Sequence, residues 1–130
     1  MKSILAKAIT LSVLLGICGV VAADTTVRVV YICTINEGKS LDDVRAANSA
    51  WVKFVNANVE GGAIASRILT PMVGDLAAGR FIYADDYPSI ESWSAALDAT
   101  SDTEKGRAIQ AALDVAGTCA SNSLYTAEKS

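Results

Sequence analysis

The segment Thr25–Ile35, with the sequence TTVRVVYICTI, constrains the fold more than any other part of the chain. It is rich in β-branched residues and is apolar at both alternating sets of positions, which is typical of a β-strand covered on both faces. One face carries Val27, Val29, Tyr31 and Cys33, and the other carries Val30 and Ile32. Such a strand lies at the centre of a sheet, so the rest of the chain must supply its neighbours and its cover.

The remaining pattern predicts three further strands and two helical regions. Ser40 is expected to cap a helix that ends near Asn58, with Asp43 completing a weak capping box. The apolar stripe of that helix is Leu41, Val44, Ala47, Trp51, Phe54 and Val55. The other predicted strands are an edge strand over 63–72, a strand over 80–85 and a strand over 119–126. Between the last two, one helix runs from Ser89 to an interruption at Thr100. A further helix starts at a Ser101–Glu104 capping box and is stopped by Gly117.

The order β-α-β-β-α-β indicates an α+β, ferredoxin-like fold, with a four-stranded antiparallel sheet and helices on one face. Its strand order is 4-1-3-2, which places the first strand between the third and the fourth. We expect residues 24–130 to form one domain of this type, since their length suits a single core.

The two cysteines of that domain, Cys33 and Cys119, lie at the end of the first strand and the start of the last. Because those strands are antiparallel neighbours in the predicted sheet, the two ends meet. A disulfide is therefore predicted, and its loop closure would contribute roughly 4 kcal/mol. The alternative is two buried thiols that never meet.

The N-terminal residues 1–23 are predicted to be a signal peptide. Lys2 and Lys7 precede an apolar run from about Ile9 to Val21, and small residues follow at 22–23. A membrane anchor is the alternative, but the run is short of the roughly 20 residues that span a bilayer. We therefore expect an exported protein, periplasmic or extracellular, with no membrane span after cleavage.

Charge and composition exclude several classes of function. Removing Lys2 and Lys7 from the 11 basic residues leaves 9 against 14 acidic ones, a net charge of −5, which disfavours nucleic acid as a partner. Histidine is absent from the chain, so the commonest general base and metal ligand are missing. We accordingly expect no metal and no cofactor.

The segment FIYADDYPSIESWSAAL resembles the third strand and second helix of the dimeric α/β-barrel superfamily. CTINEGKSLDDVRAANSAW, together with Pro71, is similar to small exported bacterial proteins of that fold whose function is not assigned. The resemblance implies a homodimer in which the open faces of two sheets pack together. It also implies a range of activities, from cofactor-independent monooxygenases and isomerases to haem enzymes, and the haem branches depend on the histidine that this chain lacks.

Two residues of the first helix are candidates for a ligand pocket between helix and sheet. Asn48 lies within the apolar stripe, one turn before Trp51, and its amide could orient a ligand. Alternatively, the amide is hydrogen-bonded to backbone or water at the edge of the core, and Trp51 is a core anchor.

The strands supply the other candidates. Tyr31, Tyr83 and Tyr125 lie on strands expected to be neighbours, where they would line a pocket or pack in the core or an interface. Arg67 and Arg80 would hold a carboxylate together if they face one cavity. Otherwise they pair with Asp75, Asp85 or Asp86, or face solvent. Asp85 and Asp86 are adjacent in a strand, point to opposite faces and are expected to cap or solvate the following turn.

No catalytic residue is assigned from the sequence. The leading hypothesis is a non-enzymatic, disulfide-linked dimer that binds a small molecule or a protein partner. The alternatives are a cofactor-independent enzyme of the monooxygenase or isomerase type acting on a small organic molecule, and a structural component of the cell envelope.

Overall fold

The structure, a computed structural model, describes residues 26–74 and 77–128. Its elements are β1 (Thr26–Ile35), α1 (Leu41–Asn58), β2 (Ala65–Leu69), β3 (Arg80–Tyr87), α2 (Ile90–Asp102), α3 (Glu104–Ala116) and β4 (Gly117–Ala127). The predicted signal peptide lies outside the described residues, so it and the domain boundary at residue 24 stay predictions. None of the three helices in the described part of the chain combines the length and the hydropathy needed to cross a bilayer.

The four strands form one antiparallel sheet in the order β2-β3-β1-β4, which confirms the predicted fold class. The β-branched segment identified from its pattern is β1, and it is the central strand that pairs with both β3 and β4. The three helices lie over one face of the sheet. That face is set by alternation along β1, where Val27 and Val29 are buried against α1.

The helix starts follow the expected chemistry at two positions. At α1 the Ser40 hydroxyl accepts from the Asp43 amide, and the Asp43 carboxylate accepts from the Ser40 amide, so the capping box is complete. Ser89 caps α2 by accepting from the Ser92 amide. Each cap satisfies a backbone donor that has no partner inside the helix.

The predicted break between α2 and α3 was wrong by two to three residues. The helix does not stop at Thr100, and Ser101 is not a cap. Instead Thr103 caps α3 by accepting from the Gly106 amide. Gly106 allows the two helices to pack closely, because a Cβ there would lie 2.3 Å from the carbonyl oxygen of Ala99.

Two strand boundaries also differ from the predicted ones. β2 covers only Ala65–Leu69, so Pro71 lies beyond its end. β3 continues past Asp85 to Tyr87. The continuation matters for the site, because it places Asp85 inside a paired strand instead of at its last residue.

The disulfide between Cys33 and Cys119 forms as predicted, across neighbouring strands. A β-bulge sets this contact. Ile32 pairs with Ser121 and Cys33 pairs with Cys119, so Ala120 is an extra residue in β4. The extra residue turns Cys119 towards the helix-covered face, where Cys33 is buried.

Candidate functional site

A cavity of about 340 Å³ lies between the helices and the sheet. Its lining comes from both hydrophobic clusters of the core, one centred on Trp51 and Tyr87 and the other on Phe81 and Tyr83. The described residues that line it are Tyr31, Asn48, Trp51, Tyr83, Asp85, Tyr87, Ala96, Leu97, Thr100, Gln110, Leu113, Asp114, Gly117, Thr118 and Cys119. The space is therefore the junction at which all three helices meet β1, β3 and β4.

Strand alternation places three aromatic side chains on the cavity wall. Tyr31 of β1 pairs directly with Tyr83 of β3, and Tyr87 lies four pairs further along, opposite Val27. Residues two apart in a strand share a face, so Tyr83 and Tyr87 both point to the helices. Trp51 reaches the same space from the buried stripe of α1.

Asp85 lies between those two tyrosines on the same face of β3. It is 5% exposed, and its Oδ1 has no hydrogen-bond partner among the described residues. Burial raises the pKa of this carboxyl to about 6, while the nearby Ser66 hydroxyl lowers it and the charge of Asp86 raises it. A carboxyl with such a pKa can hold or release a proton near neutral pH.

The polar groups of the cavity differ in whether the protein already satisfies them. The Asn48 amide exchanges hydrogen bonds with the Ser66 hydroxyl, from Nδ2 at 3.0 Å and to Oδ1 at 3.2 Å. The Thr100 hydroxyl donates to the Ala96 carbonyl oxygen at 2.7 Å. The Tyr83 hydroxyl, in contrast, is buried with no partner in the described part of the chain. The Tyr83 hydroxyl and the Asp85 Oδ1 atom are thus the fully buried polar atoms of the lining that lack a hydrogen-bond partner among the described residues.

Burial also changes the acidity of the tyrosines. Desolvation, with a smaller contribution from the charge of Asp85, raises the pKa of Tyr83 to about 12 and raises the pKa of Tyr31. Both phenols therefore stay protonated at neutral pH and act as hydrogen-bond donors.

The mouth of the cavity lies between α2, α3 and the start of β4. Leu97, Gln110, Asp114 and Thr118 are exposed there, and Cys119 brings the disulfide to the rim. The bridge therefore holds β4 in place at the entrance.

The structure brings four of the six predicted pocket residues together. Asn48, Trp51, Tyr31 and Tyr83 all line the cavity. The hydrogen bond of Asn48 goes to a side chain, which differs from both the ligand contact and the backbone contact considered from sequence.

Arg67 and Arg80 do not line this cavity. Both lie on the opposite, open face of the sheet, opposite Ala84 and Thr34 respectively. Arg67 forms an ion pair with Asp86, one of its predicted alternatives. Arg80 is exposed, and Tyr125 also lies on the open face, so Tyr125 does not share the cavity with Tyr31 and Tyr83.

Asp85 is the site residue that the sequence reading missed. The sequence predicts that Asp85 is the last residue of the third strand and that, with Asp86, it caps or solvates the following turn. The alternation Phe81, Tyr83, Asp85, Tyr87 was the available signal, since it places the carboxyl on the face of two aromatic residues. The expected opposite orientation of Asp86 is confirmed, but neither carboxylate caps the turn.

No group of three or more side chains suited to binding a metal ion occurs within residues 26–74 and 77–128.

The fold is similar to that of several solved structures. SnoaB, a cofactor-independent oxygenase from Streptomyces nogalater, is 15% identical over 82% of this chain and 96% of that chain, with a TM-score of 0.59. A conserved protein of unknown function from Bacteroides thetaiotaomicron, described as a possible oxidoreductase, is 10% identical over 80% and 99%, with a TM-score of 0.54. A NIPSNAP family protein from Agrobacterium tumefaciens is 13% identical over 84% and 90%, with a TM-score of 0.53.

At these identities the likeness concerns the fold alone. It agrees with the ferredoxin-like fold that the order of the strands shows. No protein-family model and no curated protein sequence matches the chain.

Proposed function

We propose that this protein binds one small organic molecule in the cavity between its helices and its sheet. One observation carries the proposal: the Asp85 Oδ1 atom and the Tyr83 hydroxyl are buried with no hydrogen-bond partner among the described residues, and both residues line the cavity beside aromatic walls. Buried polar groups in proteins are nearly always hydrogen-bonded, so an unpartnered pair calls for an explanation. A ligand with polar atoms at one end would supply the missing partners.

The dimensions and lining agree with this function. Ligand cavities in proteins are commonly roughly 300–1,000 Å³ and mostly apolar, with a few convergent polar groups. This cavity, at about 340 Å³, is at the small end of that range. Trp51 and Tyr31 offer flat apolar surface, which suits a ligand with a ring.

Proton abstraction from a small organic substrate is the second candidate. Its specific support is Asp85, a buried carboxyl with a pKa of about 6, which suits a general base in a chain without histidine. The proton would pass from an acidic O–H or C–H group of the substrate to the carboxylate. The likeness in fold to a cofactor-independent oxygenase is consistent with this chemistry.

A homodimer through the open face of the sheet is part of the proposal. That face carries half-buried Val30, Ile32 and Ile82, together with Leu69 and Tyr125, which are 46% and 52% exposed. An apolar sheet face of this kind is normally covered in a soluble protein. A second copy would cover it with an identical surface, as closed two-fold dimers do.

Export to an oxidising compartment completes the proposal. The N-terminal sequence has the features of a signal peptide, and the Cys33–Cys119 disulfide is typical of exported proteins.

The test begins with native mass spectrometry of the full chain expressed for export. We expect a disulfide-containing dimer of the cleaved chain and, in a screen of small aromatic compounds, at least one ligand that binds in a one-to-one ratio with each copy. Incubation of that ligand in air would then reveal a product if the enzymatic candidate holds.

A matched pair of variants locates the binding site. Tyr83→Phe removes the hydroxyl that faces the cavity, and Tyr125→Phe makes the same change on the open face. We expect Y83F to weaken binding about tenfold, as the loss of one buried hydrogen bond does, and Y125F to leave it unchanged. Equal affinities in the two variants, or a screen with no ligand, would contradict the proposed function.

A further inference from the structure

We propose that the ligand of this cavity is an organic cation, a protonated or quaternary amine carried on an apolar body. The inference rests on the proposed binding function and narrows it to one chemical class. It follows from the charges around the cavity, from its aromatic walls and from the Asp85 Oδ1 atom, which has no partner among the described residues.

The ionisable groups that line the cavity are all acids. Asp85 lies on its floor and Asp114 at its mouth, and no lysine or arginine is among the described residues of the lining. Arg28 and Arg67 lie on the other face of the sheet, where both pair with Asp86. The cavity therefore has a negative potential that nearby arginines do not cancel.

A carboxylate surrounded by aromatic rings is suited to a cation. Trp51, Tyr31, Tyr83 and Tyr87 line the same space as Asp85. The faces of aromatic rings attract ammonium groups, most strongly for tryptophan and where water is excluded. The carboxylate would supply the counter-charge, and the rings would cover the alkyl groups of the amine.

Ligands of other charge fit the cavity less well. Above its pKa of about 6, Asp85 carries a buried charge with one oxygen unpartnered. An anionic ligand would add a like charge beside Asp85 and Asp114. A neutral ligand would leave the carboxylate without a counter-ion, whereas a cation provides one.

The pH dependence of binding follows from the groups around Asp85. The titratable groups that share the cavity with it are Tyr31 of β1, Tyr83 and Tyr87 of β3, and Asp114 of α3. The groups from β2, α1 and α2 nearest to it, Ser66, Asn48 and Thr100, are neutral. Asp86 is next in the chain but lies on the open face beside its arginines. Asp85 is thus the group whose protonation below pH 6 would weaken the binding of a cation, because the neutral carboxyl no longer supplies a counter-charge.

The experiment compares three probes of similar shape: 2-phenylethylammonium, 2-phenylethanol and phenylacetate, titrated by calorimetry at pH 7.5. We expect the cation to bind at least about tenfold more tightly than the alcohol and phenylacetate not to bind. Benzyltrimethylammonium, whose charge does not titrate, serves for the pH series. Its affinity should fall about tenfold between pH 7 and pH 5 as Asp85 takes up a proton.

Variants assign the effect to the cavity. Asp85→Asn, which keeps the shape of the side chain, should weaken binding of both cations about tenfold or more and leave the alcohol unchanged. Asp114→Asn at the mouth should weaken the cations by a smaller factor, which provides a second measurement if D85N folds poorly. Asp98→Asn removes an exposed carboxylate of α2 and should change nothing.

Two results separate this inference from the function on which it rests. If the alcohol or phenylacetate binds at least as tightly as the cation, or if D85N and D114N both bind the cations normally, the cation inference is overturned while small-molecule binding stands. If the screen of aromatic compounds also finds no ligand of any charge, the binding function fails, and the inference fails with it.

Discussion

Asp85 and Asp86 are adjacent in β3 and have the same side chain, yet the two faces of the sheet give them opposite properties. Asp85 points to the helices, where it is buried with an unpartnered oxygen and its pKa is raised to about 6 by desolvation. Asp86 points to the open face, where it receives hydrogen bonds from Arg28 and Arg67. The pairing with Arg28 and Arg67 lowers its pKa, against a smaller opposing effect of burial.

The difference shows that strand alternation can direct the carboxyl groups of two adjacent residues into different environments, one on each face of the sheet. On the open face a carboxylate has cationic partners and contributes to the fold. On the covered face the same group destabilises the folded state when it ionises, and such a group is typical of a functional site. The comparison leads to predictions for the two faces.

The largest effect is expected from removing the disulfide in a C33A/C119A double variant. The bridge closes a sequence separation of 86 residues, and loop-closure entropy predicts a loss of about 4 kcal/mol in the free energy of unfolding. Urea denaturation measures this loss. Because Cys119 lines the mouth of the cavity, ligand binding on the covered face should also weaken.

The open face provides the internal control for that variant. The ion pairs of Asp86 involve β1, β2 and β3, and Cys119 lies outside these strands. Cys33 is on β1, but it points to the covered face, whereas Arg28 points to the open face. We expect these ion pairs to persist in the folded fraction of C33A/C119A. An NMR titration of the Asp86 carboxyl would test this. A loss of stability below about 1 kcal/mol would show that β4 is held by its other contacts instead.

The second effect is a gain in stability at neutral pH from Asp85→Asn. The folded-state pKa of Asp85, about 6, is above its ordinary value of 3.8. Its contribution to stability is therefore complete below about pH 4 and is lost as the pH rises through 6. At pH 7 we expect D85N to be more stable than the natural chain by on the order of 2 kcal/mol.

Unfolding curves at a series of pH values check this sign. The two proteins should converge below about pH 4, where the carboxyl is protonated in both folded and unfolded states. Asp98→Asn, on an exposed surface of α2, should show no comparable gain. A less stable D85N at pH 7 would indicate that the ionised carboxylate has a stabilising partner.

The third and smallest effect is a loss of stability from Asp86→Asn. The pKa of Asp86 is lowered, so its contribution is present above its ordinary value and is lost as the pH falls through its folded-state value. Solvent screens the network, since the Arg28 and Arg67 side chains are 42% and 56% exposed. We expect a loss of about 1 kcal/mol at pH 7 that shrinks in high salt.

The D86N measurement is also made by urea denaturation, with and without added sodium chloride. A gain in stability, or a loss that salt does not reduce, would contradict the role assigned to the open-face ion pairs. If D85N and D86N shift stability in the same direction, the contrast between the faces fails.

Much of the fold was predictable because it depends on local patterns and chain order. The β-branched run of β1, the Ser40 cap and the order of elements led to the correct sheet topology, and that topology led to the disulfide. The helix break was misplaced because Ser101 and Thr103 are both acceptable caps in sequence. Tertiary packing at Gly106 decides between them.

The candidate site was predictable in part. Asn48, Trp51, Tyr31 and Tyr83 were found because apolar periodicity orients them towards one layer. The face of Arg67 was not predictable because it depends on the pairing of β2 with β3, which a short strand does not reveal. Asp85 was missed because a charged pair before a turn usually marks the end of a strand.

The bulge at Ala120 has a consequence for how the last strand finds its place. The side chains of β4 are mostly small, polar and exposed, so no hydrophobic pattern specifies its pairing with β1. A slip by one residue would turn Cys119 away from Cys33 and prevent oxidation of the pair. During folding, the disulfide would therefore form only when β4 pairs with β1 in the native register, and the bond would then hold the two strands in that register. The two cysteines thus specify a register that the side chains of β4 leave undetermined.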